Sequence, residues 1–343
     1  MRRGRTARRV ASLVSLGFFI VLTACAQNAP QDTFHNLGGP VARKELNLST
    51  PVFLVAAIIF FLVEGALVYA TIRFRARSDR DVPVQVHGNR VLEVTWTLIP
   101  AVILAAIAVP TIGTIFSLAS TPSGPNVVRV DLTARQWWWE YKYPDLGVVT
   151  ANEMHIPLGK NVAIKLRSVD VIHSFWVPRL AGKQDVIPGR TNDLYFSADK
   201  AGTYLGQCAE FCALSHANMR LRVIAEPQAK FDAWVQQQKA DAIAPTGGDA
   251  AHGMDLLLKN QCIFCHTIRG TQAAGKVGPD LTHVAGRMTF AGATFDFTTD
   301  NLIKWVSDAP AMKPGAKMGR GLADYHLTPD DVRAIVAYLE SLK

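Results

Sequence analysis

At 343 residues the chain is too long for one ordinary core and long enough for two small domains plus membrane segments. Its apolar residues, 49% of the total, gather in three stretches near 10–24, 51–72 and 94–118. The net charge of +8 does not make this a nucleic-acid-binding chain, because the arginines crowd the first ten residues and the stretch from Arg73 to Arg90, beside apolar runs, where membrane topology accounts for them.

The chain opens with MRRGRTARRV, then ASLVSLGFFIVL, then LTAC, the charged, apolar and small-residue regions of a secretory signal over residues 1–24. The ending Leu22-Thr23-Ala24-Cys25 resembles the lipobox of bacterial lipoproteins, which implies cleavage before Cys25 and lipid attachment to it. A plain signal, or an uncleaved anchor with an incidental cysteine, is the alternative. On the lipoprotein reading the mature chain starts outside the cytoplasmic membrane, and residues 25–48 form an extracytoplasmic segment.

Residues 51–72 and 95–118 are each long enough to cross a bilayer core as a helix, which takes about 20 residues, and together they predict a transmembrane hairpin over 49–120. The loop between them, RFRARSDRDVPVQVHGNR, is rich in arginine and so belongs in the cytoplasm, with both outer ends on the other side. Glu64 lies within the first span and Glu93 at the cytoplasmic start of the second. A carboxylate facing lipid is costly, so Glu64 points to a protein neighbour. Glu93 is either part of a proton route or an interfacial residue wetted by headgroup water.

From 126 to 226 the pattern changes to short runs such as VVRVDL, VAIKLRSV, DLYFSA and MRLRVIA, punctuated by Gly, Pro, Asn and Asp, which predicts an all-β sandwich. Residues 227–249 pass from a short amphipathic helical stretch to an Ala/Pro/Gly linker. Residues 250–343 show helical periodicity at both ends, and Thr328 and Pro329 read as the N-cap and first residue of the last helix.

The five cysteines stand at 25, 208, 212, 262 and 265, and the last four form two close pairs that look like ligand sets rather than a disulfide framework. Cys262-Ile-Phe-Cys265-His266 matches C-x-x-C-H, the attachment pattern of c-type haem. Thiols two residues apart on a helical turn each bond a vinyl group, and the next histidine projects under the iron. A thioredoxin-like pair or half of a zinc site fits less well, since no second cysteine pair completes a zinc set here and the surroundings are not βαβ. Met318, after a Pro-Gly turn, is the expected second axial ligand, ahead of Met312 and Met288, and a six-coordinate iron passes electrons instead of binding oxygen.

The stretch CAEFCALSHANM, residues 208–219, fits neither a C-x-x-C zinc site nor a blue-copper site with one cysteine. Thiolate and thioether select copper, and Cys208, Cys212, His216 and Met219 offer more ligands than one copper needs once a second histidine is found. His173, in DVIHSFWVP, is the candidate; read alone it is better explained as a buried, hydrogen-bonded histidine, and the nearby soft-ligand loop reverses that preference.

With EVTWTLIPA (93–101), QWWWEYKY (136–143), DVIHSFWVP (170–178), KQDVIPGR (183–190), GQCAEFCALSHANM (206–219) and GPDLTHVAGR (278–287), the chain resembles subunit II of haem-copper cytochrome c oxidases, in the bacterial form with a fused class I cytochrome c domain. The resemblance covers nearly the whole mature chain. It implies a multidomain membrane protein: a two-helix transmembrane hairpin, an all-β cupredoxin-like sandwich, and a small all-α cytochrome c domain. It implies a dinuclear copper centre, CuA, in which Cys208 and Cys212 bridge both metals, His173 and Met219 complete one, and His216 and the Glu210 carbonyl complete the other. The Glu210 side chain matches a residue that helps hold magnesium at the contact with subunit I. Trp137 matches the tryptophan at the electron-input surface, although the alternation Trp137, Trp139, Tyr141, Tyr143 is also that of a half-buried strand. Glu93 matches the residue at the mouth of a proton-uptake channel. One departure is Ala213, where the family usually has glycine; if that position needs φ > 0, alanine costs about 1 kcal/mol, which metal bonds offset.

The resemblance implies an electron-input subunit of a proton-pumping terminal oxidase, passing electrons from a donor through haem c and CuA to subunit I, where oxygen becomes water. The implied partners are subunits I and III, an upstream cytochrome c or cytochrome bc complex, and membrane lipid. The implied place is the bacterial cytoplasmic membrane, with both redox domains outside. A fused haem domain keeps its donor at high effective concentration. A CuA-bearing subunit of a nitric oxide reductase shares much of this design, though Glu93 leans toward an oxidase. A free-standing tethered electron carrier predicts no stable complex with a haem-bearing membrane protein. Nitrous oxide reductase is implausible, with nine histidines and no propeller-sized region.

Overall fold

A computed structural model of the chain describes residues 33–76, 78, 84–85 and 87–343; the signal segment and Cys25 lie outside the described residues. Two long apolar helices come first, α1 (Pro40–Arg73) and α2 (Arg90–Ala119), each long and apolar enough to cross a membrane. The 34 residues of α1 exceed the about 20 that a bilayer core needs. The helix starts at Pro40 instead of near residue 51 because Pro is pre-set for the first turn and the extra turns have a surface to pack on. Val41 and Ala42 are buried against the sandwich, the Ala42 N–H donates to the Leu180 carbonyl at 3.2 Å, and Glu45 accepts from the Gly182 N–H at 2.9 Å. Helix α2 is capped by Asn89, whose side chain accepts from the Val91 and Leu92 N–H groups. Phe60, Phe61, Leu62 and Val109 stand exposed along the two helices, a surface suited to lipid or to another membrane chain.

Ten strands follow: β1 (Val127–Arg135), β2 (Trp138–Tyr143), β3 (Val148–Ala151), β4 (Glu153–Pro157), β5 (Asn161–Ser168), β6 (His173–Trp176), β7 (Gln184–Val186), β8 (Asn192–Phe196), β9 (Gly202–Cys208) and β10 (Arg220–Glu226). They form two five-stranded sheets, ordered β3-β2-β1-β5-β8 and β4-β10-β9-β6-β7. Alternate residues point inward as period-two patterning requires: Val130, Leu132 and Ala134 of β1, Trp139, Tyr141 and Tyr143 of β2, Ile164 and Leu166 of β5. Leu132 pairs with Tyr141 and Ala134 with Trp139, so the small residue faces the large one.

Helix α3 (Gln228–Lys239) lies in the stretch read as leading into the linker, yet it is part of the sandwich. Phe231 and Val235 enter the core, and Trp234 stacks on His155 with ring centroids 4.3 Å apart. The remaining link to the next domain is short.

The C-terminal domain contains α4 (Gly248–Lys259), α5 (Cys262–Cys265), a small hairpin of β11 (Thr289–Phe290) and β12 (Phe295–Asp296), α6 (Thr299–Ser307), α7 (Ala309–Met312), α8 (Gly321–Asp324) and α9 (Pro329–Ser341). Helices α4 and α9 cross where Gly253 meets the Ala334 carbonyl; a Cβ there would stand 1.8 Å from the oxygen. Thr328 and Asp331 close a capping box at the start of α9. The hairpin was not legible in the sequence, and it packs on the sandwich: the Arg220 N–H donates to the Gly292 carbonyl at 2.8 Å, and Thr294 Oγ1 to the Asn218 carbonyl at 2.8 Å. These bonds dock the domain on the sandwich.

Candidate functional site

Cys208 ends β9, and residues 209–219 loop back into β10 through a short 3₁₀ turn at His216–Asn218. The loop is closed by the Cys208 N–H donating to the Met219 carbonyl at 2.9 Å, and it is tied to β6 by the Ala209 N–H donating to the Ser174 carbonyl at 2.9 Å. Strand pairing does the long-range work: Phe175 stands opposite Cys208, and His173, two residues earlier on the same face, reaches the same point. His173, thirty-five residues before Cys208, is fully buried.

The donor atoms converge. The Cys208 and Cys212 sulfurs are 3.8 Å apart, His173 Nδ1 is 3.9 Å from Cys208 Sγ, His216 Nδ1 is 3.5 Å from Cys212 Sγ, and Met219 Sδ is 3.8 Å from Cys212 Sγ. The Glu210 carbonyl oxygen lies 3.2 Å from Cys208 Sγ. His173, Cys208 and Cys212 alone meet the spacing for a metal. Two thiols, two imidazole nitrogens, a thioether and a carbonyl exceed what one tetrahedral ion takes, and their softness suits copper.

The hydrogen bond between the thiols, with His173 beside them, holds the Cys208 thiol below the ordinary range; the same shared bond and burial push Cys212 up. The shared bond thus favours a charge on Cys208 over one on Cys212. Burial opposes a charge on His173, but Cys208 and Asp170 outweigh it and raise its pKa. Asp170 Oδ1 lies 2.8 Å from His173 Nε2, so that nitrogen is engaged and Nδ1 faces the sulfurs. This partner, three residues before the histidine, was not picked out from the sequence. Ala213 has φ 80°, the left-handed conformation that favours glycine, and its carbonyl accepts from the His216 N–H at 3.0 Å.

In the C-terminal domain, Cys262, Cys265 and His266 line a cavity of about 490 Å³. His266 Nδ1 is 2.8 Å from the Pro279 carbonyl, which fixes the Nδ1–H tautomer and frees Nε2 as a ligand. Burial lowers the pKa of His266, so the ring is neutral. Of the three downstream methionines, Met318 lines the cavity while Met288 and Met312 do not. Arg287 also lines it, half-buried and donating to the Asp280 carbonyl at 2.6 Å. A cavity bounded by two thiols, an imidazole, a thioether and a guanidinium fits a covalently held haem.

Trp137 lies in the turn between β1 and β2, outside the strand alternation that buries Trp139, Tyr141 and Tyr143. Its indole Nε1 donates to the Cys212 carbonyl at 2.7 Å, and its side chain also lines the cavity of the C-terminal domain. One side chain thus touches both sites. Two more residues at this junction escaped sequence reading: Lys313, whose ammonium reaches the Trp137 carbonyl at 2.7 Å, and Glu153, which accepts from the hairpin. Each has a partner across the domain seam, so no local pattern marks them. Glu93 lies far from these sites in sequence and fold, exposed in the first turn of α2, and Glu64 is exposed on α1. The Glu210 side chain is exposed beside the copper-type loop.

The family model described as Cytochrome C oxidase subunit II, periplasmic domain, matches residues 148–226, the corresponding transmembrane domain matches 27–113, and Cytochrome c matches 250–343. Cytochrome c oxidase subunit 2 of Alkalihalophilus pseudofirmus is 35% identical over 348 residues, covering 100% of this chain and 99% of that one. Cytochrome c oxidase subunit 2 of Bacillus sp. (strain PS3) is 36% identical over 287 residues, covering 79% of this chain and 80% of that one. The crystal structure of the periplasmic domain of subunit II of cytochrome oxidase of Bradyrhizobium japonicum is 32% identical, covers 35% of this chain and 97% of that chain, and superposes with a TM-score of 0.34. With its two membrane-length helices, its sandwich and its C-terminal cytochrome c domain, the chain belongs to the cytochrome c oxidase subunit II family, as a subunit of the oxidase complex.

Proposed function

We propose that this chain is the electron-input subunit of a proton-pumping terminal oxidase, carrying electrons from a donor, by way of a c-type haem and a dinuclear copper centre, to the oxygen-reducing site of subunit I. The observation that carries the reading is the position of Trp137, whose indole bonds the Cys212 carbonyl while its side chain lines the cavity that holds Cys262, Cys265 and His266. When bound, the haem and the copper pair supply reversible one-electron chemistry.

The residues of the chain hold and tune these groups. Cys262 and Cys265 would hold the haem through their thiols, and His266 Nε2 and the Met318 thioether would bind its iron. Arg287 supplies a cation for the carboxylates that a haem carries. Cys208 and Cys212 would be shared by the two coppers, with His173 and Met219 serving one and His216 and the Glu210 carbonyl the other. Asp170 orients His173 and favours its engaged tautomer. The exposed Glu210 carboxylate faces outward from the loop, where it shares a magnesium ion with subunit I. Glu93 marks the mouth of a proton-uptake route on the cytoplasmic side.

The arginine-rich loop between the spans and the signal-like start support a place in the bacterial cytoplasmic membrane, with the sandwich and haem domain on the periplasmic side and Cys25 lipidated there. Subunits I and III and a cytochrome c or cytochrome bc donor are its partners. The relatives that match along the whole chain are oxidase subunits, which favours this reading over a nitric oxide reductase or a free-standing carrier.

The test is purification of the native complex, with copper and haem counted, electron-spin and optical spectra recorded, and oxygen uptake measured with reduced cytochrome c. The expected result is two coppers and one haem c per chain and cytochrome c-dependent oxygen uptake. A preparation with one isolated copper, or haem c alone, would overturn it.

A further inference from the structure

Where the C-terminal domain meets the sandwich, two charged side chains are buried in the seam. Glu153 is 1% exposed and takes its hydrogen bonds from the other domain: Oε2 accepts from the Met288 N–H at 3.0 Å, and Oε1 from the Thr289 N–H at 2.8 Å and Thr289 Oγ1 at 2.5 Å. Lys313 is 3% exposed and bridges the seam, donating to the Trp137 carbonyl at 2.7 Å and to the Ala291 carbonyl at 2.7 Å. Undocking would take from Glu153 all of these partners and from Lys313 the Trp137 carbonyl, and an ionisable group buried to this extent is stable only when its hydrogen bonds are made.

The residues after Lys313 continue the contact. The Pro314 carbonyl accepts from Ser215 Oγ at 2.6 Å, and Gly315, at φ 79°, lies so close to the Trp137 ring that a Cβ would stand 2.6 Å from Cη2. Ser215 immediately precedes His216 in the copper loop, and Met318 follows three residues after Gly315. A single strap therefore runs from the copper loop to the haem's axial methionine. Trp137, 7% exposed, lies under it.

We propose that Lys313 and Glu153 are positioning residues for electron transfer between the two centres: they lock the haem domain as a fixed lid on the Trp137 face, in place of a domain that swings on its linker. The inference rests on the electron route given above. A fixed lid holds the donor and acceptor at one separation. It also closes Trp137 to any second protein donor, so electrons enter through the haem domain.

The test uses the intact, metal-loaded oxidase containing this chain, with two readouts. One is hydrogen exchange of the backbone amides of 288–296 and 313–318; the other is the rate at which photoreduced haem c passes its electron to the copper pair. The wild type is expected to be protected in both segments and to transfer in one fast phase. Lys313→Met and Glu153→Gln should each speed exchange in 288–296 and slow transfer on the order of tenfold or more, since small misplacements of reacting groups cost rate steeply. The haem and copper spectra and the onward rate to subunit I should not change. Unchanged exchange and transfer in both variants would overturn the proposal. So would an altered copper spectrum or an equally slowed onward step, which would make these residues supports of the copper site. If Lys313→Met does not assemble, Glu153→Gln, on β4 and outside the copper loop, decides the matter on the same readouts. A wild type whose haem never reduces the copper pair refutes the electron route and this proposal together, whereas an intact route with indifferent variants refutes the proposal alone.

Discussion

Asp170 Oδ1 stands 2.8 Å from His173 Nε2, and His173 Nδ1 stands 3.9 Å from Cys208 Sγ, so one imidazole is held between a carboxylate and a thiol. Burial works against the charged carboxylate, but the hydrogen bond to His173 and those from the Gln136 N–H at 2.6 Å and the Val171 N–H at 2.8 Å outweigh it and keep its pKa low. Asp170→Asn keeps the shape and removes the charge. Copper affinity is expected to fall roughly 10- to 100-fold, as for other outer partners of ligating histidines. Competition with a chelator of known affinity measures it; an affinity within twofold of wild type would show that Asp170 has no such role.

Ala213 is held at φ 80° in the copper loop, where a Cβ is disfavoured. Ala213→Gly should raise the stability of the sandwich by about 1 kcal/mol and leave the copper spectrum as it is. Ala213→Val, with a branched side chain in the same conformation, should destabilise it further. Thermal denaturation of the three proteins, copper-loaded and copper-free, orders them.

Met318 lines the cavity with His266, and Met312 lies outside it. Met318→Leu should therefore open one axial position and change the haem optical spectrum and midpoint potential. Met312→Leu should leave both as they are. The reverse pattern would move the axial ligand to Met312.

The last helix starts on a reciprocal cap: the Asp331 N–H donates to Thr328 Oγ1 at 3.1 Å, and the Thr328 N–H donates to Asp331 Oδ2 at 2.8 Å. Thr328→Ala should cost about 1 kcal/mol of haem-domain stability. The Thr328 backbone N–H and hydroxyl hold the Asp331 carboxyl below the usual range. A carboxyl depressed in the folded state contributes stability above its unfolded pKa of about 3.9 and loses it as pH falls through the folded value. Asp331→Asn should accordingly flatten the decline of the thermal midpoint in the acid range below about pH 4, followed by the haem band of the intact chain.

The chemistry of this protein is written locally. C-x-x-C-H, the run Cys208 to Met219 and two apolar stretches near 20 residues long are each set by covalent spacing, ligand softness or bilayer thickness, and all are visible without a fold. Period-two patterning likewise shows which side of β2 faces the core, and Thr328-Pro329 shows where the last helix starts. What tertiary structure decided depends on partners far apart in sequence. Pairing of β6 with β9 brings His173 to Cys208, the turn before β2 takes Trp137 out of the strand it resembled, and the surface of the sandwich extends α1 back to Pro40. Glu153 and Lys313 are the extreme case. A buried charge acquires its meaning from the groups around it, and theirs come from another domain, 135 residues away for the Glu153 contact with Met288 and 176 for the Lys313 contact with Trp137.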